Sequence, residues 1–123
     1  MANPTNLKYT KDHIWVKVDG DTALIGVTDY AQEQFGDILF VDLPEVGAKF
    51  DAGDAFTEIE SSKTATEANI PFACEIVEVN EDLDDSPEAI NEGAYDAWII
   101  KVKINDVSEL DALLDAAAYE AAL

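Results

Sequence analysis

Apolar and polar residues alternate over several short segments of the chain, which is the pattern of strands that bury one face. The first two segments are residues 13–18 and 22–27, and the Asp-Gly-Asp sequence at 19–21 favours a tight hairpin turn between them. Residues 38–43 form a nearly continuous apolar run, which predicts a strand buried on both faces. Further strands are predicted at residues 56–60, 64–70, 74–79 and 98–104.

Helices are predicted between and after these strands. A short helix begins at Thr28 or Asp29 and runs through Gln34, and a second follows the Ser-Pro pair at 86–87 and ends at Gly93. In the tail, apolar residues recur at the three-and-four spacing of one helix face: Leu110, Leu113, Leu114, Ala117, Ala118 and Ala121.

The composition supports one folded domain of modest size. The chain has 123 residues, of which 48% are hydrophobic and 9% aromatic, enough to build a single core. We therefore expect one mainly β domain over residues 1–123, with short flanking helices and a helical tail at 107–123.

The charge of the chain is strongly unbalanced. It contains 27 Asp and Glu residues against 7 basic residues, all of them lysine, for a formal net charge of −20. Such a chain should bind neither nucleic acid nor anionic membranes, because both are recognised through Lys and Arg clusters. No apolar stretch approaches membrane-spanning length, and residues 1–4 begin neither a signal peptide nor an Arg-rich transit peptide. We expect a bacterial cytoplasmic location, or the mitochondrial matrix if a transit peptide has been removed.

The residues of catalytic and metal sites are scarce. Cys74 is the only cysteine and His13 the only histidine, so they cannot build a disulfide or a zinc cluster. The chain has no glycine-rich phosphate loop and no Gly-x-Ser-x-Gly nucleophile motif. The acidic segment 82–85 lacks the glycine of a calcium loop. We expect neither a metal site nor an enzyme.

Lys63 stands apart in this acidic chain. The nearest lysines in sequence are Lys49 and Lys101, and the predicted strands 56–60 and 64–70 place Lys63 at the tip of a hairpin. One interpretation is an ordinary turn lysine, which the composition alone favours. The other is a modification site, since a lysine on a strand-supported tip presents its amine to an attaching enzyme.

A series of short motifs in a fixed order covers almost the whole chain. The motifs are residues 7–10 with His13 and Trp15, 25–32, 36–38, 41–47, Glu60-Ser61-x-Lys63, 75–80, 85–88 with Asn91, 98–101 and 108–120. By these motifs the chain resembles the H proteins of the glycine cleavage system, a family of lipoylated carriers.

The resemblance implies a fold and an attachment site. The implied fold is a barrel-sandwich hybrid of the lipoyl- and biotinyl-carrier type, with lipoate attached covalently at Lys63. Glu60, Ser61, Ser62 and Thr64 then form the hairpin around the attachment point. Biotin carriers share this architecture but usually have methionines beside the lysine, so Ser62 and Thr64 argue against biotin.

The resemblance also implies a carrier function with named partners. A glycine decarboxylase would load the arm with the aminomethyl group of glycine, and a tetrahydrofolate-dependent aminomethyltransferase would unload it. A dihydrolipoyl dehydrogenase would reoxidise the arm, and a lipoyl ligase or transferase would attach lipoate in the first place. The chain itself would supply no acid or base. We expect a monomer whose acidic body meets more basic partner surfaces.

Some positions depart from the family pattern. Ile14 stands where the family usually has a glutamate that helps to hold the loaded amine in a cleft, whereas Glu67 retains the other acidic position. By the resemblance Ile14 and Glu67 line this cleft, and His13 is interpreted as structural or cleft-lining rather than catalytic. We hypothesise that Ile14 weakens protection of the loaded arm. Cys74 replaces a usual glycine and, as a lone cysteine, is expected to be an inert small hydrophobe.

Two other functions stay open on the sequence. A paralogue of the H proteins could relay lipoyl groups to other lipoate-dependent enzymes, and the departures at Ile14 and Cys74 keep this alternative open. The chain could also be an unmodified acidic interaction protein with an incidental lysine at its hairpin tip. A lipoyl adduct that depends on Lys63 would separate both carriers from this last alternative.

Overall fold

A computed structural model of the chain describes residues 6–122. The interpretation of residues 1–4, and Leu123 at the end of the predicted tail, lie outside the described residues. No helix within residues 6–122 is long and apolar enough to cross a membrane.

The fold is built from two antiparallel sheets. Within residues 6–122, nine strands occur in chain order: β1 (Lys8–Tyr9), β2 (Ile14–Asp19), β3 (Thr22–Val27), β4 (Ile38–Val41), β5 (Lys49–Phe50), β6 (Ala55–Ser61), β7 (Ala65–Asn69), β8 (Cys74–Val79) and β9 (Ile100–Ile104). The larger sheet has the strand order β1-β2-β3-β9-β8-β5, and the smaller sheet has the order β4-β6-β7. The predicted mainly β, two-sheet architecture is confirmed.

Short helices connect and flank the strands. They are α1 (Asp29–Phe35), α2 (Asp82–Asp85), α3 (Ala89–Glu92), a 3₁₀ helix (Val107–Ala112) and α4 (Ala116–Ala121). Of the two predicted caps for α1, Thr28 takes the role, because its hydroxyl accepts the Ala31 N–H at 3.3 Å. Gly36 ends α1 with a φ of +75°.

The main core lies between the two sheets. Alternate residues of both sheets point into it, which explains the apolar alternation of the sequence. Its buried members include Val16, Ile25, Ile76 and Val102 of the larger sheet, and Ile38, Val41, Phe56 and Ile59 of the smaller sheet.

A second, aromatic cluster packs against the other side of the larger sheet. The rings of Tyr9 and Tyr119 stack with centroids 4.9 Å apart, which ties α4 to β1. Trp15 is buried in the same cluster and donates from Nε1 to the Ala94 carbonyl at 3.0 Å. A Cβ atom at Gly26 would lie 2.7 Å from the Trp15 ring, so only glycine fits beneath this indole.

The prediction that the strand at 38–43 is buried on both faces is wrong. Leu39 is 62% exposed and Phe40 is 43% exposed, whereas Ile38 and Val41 are buried. β4 is an edge strand of a sheet with only one covered face, and its pairing with β6 shifts register between Ile38 and Phe40.

The C-terminal region is helical as predicted but is not one continuous helix. The 3₁₀ helix ends at Ala112, and Leu114 then forms a β-bridge with Tyr9 before α4 begins. Asp115 caps α4, since its side chain accepts the Ala118 N–H at 2.8 Å. The three-and-four apolar spacing therefore spans two short helices with an extended break between them.

Candidate functional site

Lys63 lies at the tip of the β6–β7 hairpin, where the sequence predicts it. Its side chain is exposed, and Ser61 closes the turn that carries it. The Ser61 N–H donates to the Thr64 carbonyl at 2.8 Å, and the Ser61 hydroxyl donates to the same oxygen at 2.9 Å. The Thr64 N–H donates back to the Ser61 hydroxyl at 3.2 Å. Two of the predicted hairpin residues, Ser61 and Thr64, thus fix the backbone on either side of the lysine.

The turn between α1 and β4 supports the lysine hairpin. The Ser62 N–H donates to the Asp37 carbonyl at 2.9 Å, which joins the tip to the start of β4. A Cβ atom at Gly36 would lie 3.1 Å from the Ser62 hydroxyl and 3.3 Å from Lys63 Cε. The absence of a side chain at Gly36 therefore lets the lysine stem lie against this turn.

Asn91 fixes this supporting turn. Its Nδ2 donates to the Gly36 carbonyl at 2.8 Å and to Gln32 Oε1 at 3.0 Å, and its Oδ1 accepts the Ile38 N–H at 2.8 Å. One carboxamide thus joins α3 to the end of α1 and to the start of β4. Reasoning from residue types alone missed this role, because an isolated Asn after an acidic segment carries no distinctive pattern.

Carboxylates surround the lysine hairpin. Glu60 lies three residues before Lys63 and is exposed, and Glu67 is exposed on β7 directly opposite Glu58. Like charges directly opposite each other on neighbouring strands destabilise a sheet, so the Glu58–Glu67 pair does not stabilise the hairpin. Glu60 and Glu67 thus share with Lys63 the smaller sheet and its hairpin.

Of the predicted cleft residues, Ile14 begins β2 of the larger sheet and His13 immediately precedes it. Ile14 is only 1% exposed and packs in the main core, where it pairs with Val27 across β2 and β3. A cavity of about 330 Å³ lies nearby, between residues 9–12 and 69–71, but neither His13, Ile14 nor Glu67 is among its lining residues. Cleft lining by these three residues stays a prediction.

His13 connects the larger sheet to the C-terminal helix. It has a φ of +66°, a left-handed conformation uncommon outside glycine, and its Nδ1 lies 2.7 Å from the Tyr119 hydroxyl. The same hydroxyl lies 2.8 Å from Thr28 Oγ1, and the ring of Tyr30 is tilted against the imidazole at 4.7 Å. Burial lowers the pKa of His13 although the charge of Asp12 acts in the opposite direction. These contacts fit the structural interpretation of His13.

No described part of the chain assembles a catalytic or metal centre. Within residues 6–122, no three His, Cys, Asp or Glu side chains are grouped as a metal ion would require. Cys74 is fully buried on β8 within the main core. The chemistry that the site offers is therefore one accessible primary amine on a rigid hairpin.

Comparisons with known proteins agree with one another. The sequence model of the family described as glycine cleavage H-protein matches residues 7–123. The chain is 54% identical over 122 residues to the glycine cleavage system H protein of Geobacillus kaustophilus (strain HTA426), covering 98% of this chain and 96% of that protein. It is 51% identical over 121 residues to the glycine cleavage system H protein of Staphylococcus carnosus (strain TM300), with the same coverage. The crystal structure of a glycine cleavage system H protein from Mycobacterium marinum matches with a TM-score of 0.88 and 37% identity, over 97% of both chains.

Proposed function

Because the chain belongs to the glycine cleavage H-protein family, we propose that it carries lipoate covalently on Lys63. As a member of that family it is a carrier subunit of the glycine cleavage system and not an enzyme. One observation carries the choice of residue: Lys63 is exposed at the tip of the β6–β7 hairpin, within the motif Glu60-Ser61-x-Lys63.

The residues of the tip fit a covalently attached lipoyl group. An attaching enzyme can reach the Lys63 amine because the side chain is exposed, while Ser61 and the Asp37 carbonyl hold the backbone in place. When attached, lipoate supplies a disulfide that accepts the aminomethyl group of glycine and is reduced in doing so. The rigid hairpin fixes where the arm starts, which raises the effective concentration of its far end near a docked partner.

The proposed partners are the enzymes that load, unload and reoxidise the arm, and the enzyme that attaches it. They are glycine decarboxylase, aminomethyltransferase, dihydrolipoyl dehydrogenase, and a lipoyl ligase or transferase. A net charge of −20 supports brief, electrostatically guided encounters with basic partner surfaces. We further propose a monomeric single domain over residues 1–123, and the bacterial origin of the aligned relatives supports a cytoplasmic location.

The relay alternative gains no support from the two positions on which it rests. Ile14 and Cys74 are both buried in the main core, so neither offers a surface feature that a different set of partners could read. We therefore retain glycine cleavage as the proposed pathway of the lipoyl arm.

The measurement of intact mass tests the attachment site. The purified chain is incubated with a lipoate ligase, lipoate and ATP. We expect the wild-type chain to gain one lipoyl group and Lys63→Ala to gain none. Lys49→Ala is the matched control, since Lys49 is also an exposed strand-associated lysine, and it should be modified fully. An adduct on Lys63→Ala, or an unmodified wild-type chain, would contradict the proposal.

Glycine–CO2 exchange then tests the function of the loaded chain. With a glycine decarboxylase present, the lipoylated wild-type chain should support exchange, and the unmodified chain or Lys63→Ala should not. Exchange that proceeds equally well without the lipoyl group would remove the carrier assignment. A lipoylated chain that supports no exchange would favour the relay alternative.

A further inference from the structure

An apolar patch lies on β4, the strand that pairs with the end of β6 leading into the Lys63 turn. Leu39 and Phe40 are two of the four large hydrophobic side chains that are exposed among the described residues. Both lie on β4, and the residue before them, Ile38, pairs with Ser61 at the base of the lysine turn. Neighbouring strands are about 4.8 Å apart, and Phe40 pairs with Glu60, three residues before Lys63, so this part of β4 runs beside the strand end that leads into the tip.

Acidic side chains border this patch. Residues opposite each other on neighbouring strands share a face, and Phe40 lies opposite Glu60. Glu58 lies two residues from Glu60, on the same face, and opposite Glu67. β4, β6 and β7 contain no basic residue. We define the tip face as Leu39, Phe40, Glu58, Glu60 and Glu67, an apolar centre with an acidic border.

The composition of the tip face specifies a complementary surface. Exposed Leu and Phe side chains next to each other match an apolar pocket, and the bordering carboxylates match Lys or Arg side chains around that pocket. Since all the charged groups of the tip face are negative, it would repel a second acidic copy of this chain with a net charge of −20.

We propose that Leu39 and Phe40 dock the enzyme that attaches lipoate to Lys63, an inference that rests on the proposed function. The Lys63 amine lies only four methylene groups from the backbone. An enzyme that acts on this amine must therefore bring its own surface against the residues beside the tip. Enzymes that act on the far end of the loaded arm are not constrained in this way, so the attaching enzyme is the occupant that the position of the patch favours.

The attachment step is an acyl transfer to the Lys63 amine, and its co-reactant is an activated lipoyl group. Lipoate and ATP first form a lipoyl adenylate with release of pyrophosphate, and Lys63 Nζ then attacks its carbonyl carbon. The N–C amide bond forms, the bond from that carbon to the phosphate oxygen breaks, AMP leaves, and the amine releases its proton to solvent. Nothing is oxidised or reduced. Docking of the attaching enzyme at Leu39 and Phe40 would hold the Lys63 amine next to the carbonyl carbon of the lipoyl adenylate.

The initial rate of lipoylation, followed by intact mass with a lipoate ligase, lipoate and ATP, tests this docking. Because truncation of a central apolar contact weakens binding, kcat/KM for Leu39→Gln and Phe40→Gln should fall about tenfold, equivalent to about 1.4 kcal/mol, mainly through KM. The Kd of the unmodified chain for the ligase, measured by titration calorimetry, should rise by a similar factor. Val46→Gln and Val77→Gln are matched controls, since these side chains are 62% and 39% exposed elsewhere.

The outcomes separate this inference from the proposed function. A wild-type chain that is not modified on Lys63 refutes the proposed function. If the wild-type chain is modified and both variants are lipoylated within about twofold of its rate, the docking inference is refuted but the proposed function is not. If Phe40→Gln does not fold, Leu39→Gln decides, because Leu39 is more exposed.

Normal lipoylation with impaired glycine decarboxylase turnover would assign the patch to that enzyme, and loss of a dimer in light scattering would assign it to a second copy. Either result overturns the proposal.

Discussion

Gly36 lies against Lys63: a Cβ atom at Gly36 would come within 3.3 Å of Lys63 Cε and within 3.1 Å of the Ser62 hydroxyl. Gly36 also has φ and ψ of +75° and −150°, a conformation that is close to exclusive to glycine. The residue that ends α1 is therefore also the residue that leaves room for the lysine stem.

Substitution of Gly36 should affect both stability and modification. Gly36→Ala is expected to cost about 1–3 kcal/mol of unfolding free energy through backbone strain. It should also slow lipoylation, because Ser62 and Lys63 must shift away from the new methyl group. Urea unfolding and the rate of mass gain measure the two effects. Gly53→Ala is the control: its φ is +94°, but no atom lies within 4 Å of its Cβ position. Equal lipoylation rates for the two variants would contradict the role of Gly36 at the tip.

Asn91 should act on the lysine through the turn that it holds. In Asn91→Asp the carboxylate can still accept the Ile38 N–H, but it loses the two donated bonds to Gly36 and Gln32 and faces the Gly36 carbonyl instead. Because these hydrogen bonds are partly buried, their loss should cost about 1 kcal/mol. We expect a lower unfolding free energy and, because the turn supports Ser62, slower lipoylation of Lys63.

Asn80→Asp distinguishes a positioning role of Asn91 from a general loss of stability. Asn80 also donates from Nδ2 to a backbone carbonyl, that of Trp98, at 2.8 Å. Loss of this hydrogen bond in Asn80→Asp should lower the unfolding free energy. It should not change the lipoylation rate when that rate is measured under conditions where the variant is fully folded. If Asn80→Asp and Asn91→Asp slow lipoylation equally, Asn91 has no specific role at the tip.

The strands whose ends could be predicted are those in which buried side chains recur at every second position. The segments 22–27 and 74–79 match β3 and β8 at both ends, and their buried residues include Ala23, Ile25 and Val27 in β3 and Cys74 and Ile76 in β8. β1 and β5 have two residues each, too few for any period to be detected. The run at 38–43 could not distinguish a buried strand from an edge strand with exposed apolar residues, since that difference depends on what lies against the second face.

The position of Lys63 at a hairpin tip could be predicted, but the residues that support this tip could not. Lys63 and the small residues around it are adjacent in sequence, so a hairpin between two strands already brings them together. Gly36 and Asn91 reach the tip only through the packing of α1 and α3 against β4. The contact of His13 with Tyr119 likewise joins residues that are 106 positions apart. Contacts of such separation leave no local pattern.

The stability of the fold should depend on the protonation of His13. Burial lowers its folded-state pKa below the unfolded value of about 6.5, so protons bind the unfolded chain more readily. The stability that the neutral His13 side chain contributes is fully present above about pH 6.5, and it is lost as the pH falls from there towards the folded-state pKa. The midpoint of urea unfolding should therefore fall as the pH is lowered from about 7.5 to 5.5.

His13→Asn is the matched variant for this pH dependence. Asparagine tolerates the left-handed backbone conformation that His13 adopts, but it does not titrate. It should be less stable near neutral pH, because the contact with Tyr119 is altered, and its midpoint should vary less over the same pH range. A pH dependence identical to that of the wild-type chain would show that other groups are responsible.

Ile14→Glu restores the family's usual carboxylate but places it in the core. Ile14 is 1% exposed among apolar side chains, so a charged group there lacks compensation and should cost about 3 kcal/mol or more. Burial would raise the pKa of the new carboxyl group, so the loss of stability should be largest near neutral pH and shrink as the pH falls through that raised value. Unfolding midpoints at several pH values measure this.

The same substitution tests whether Ile14 shortens the protection of the loaded arm. If it does, the aminomethyl-loaded form of Ile14→Glu should release its adduct to water more slowly than the loaded wild-type chain. Ile14→Gln is the control, because glutamine has nearly the same shape as glutamate without its charge. The comparison is made where unfolding curves show all three proteins to be folded, so that opening of the core does not set the rate. Equal lifetimes for Ile14→Glu and the wild-type chain would refute the hypothesis, and an equal gain in Ile14→Gln would show that charge is not its cause.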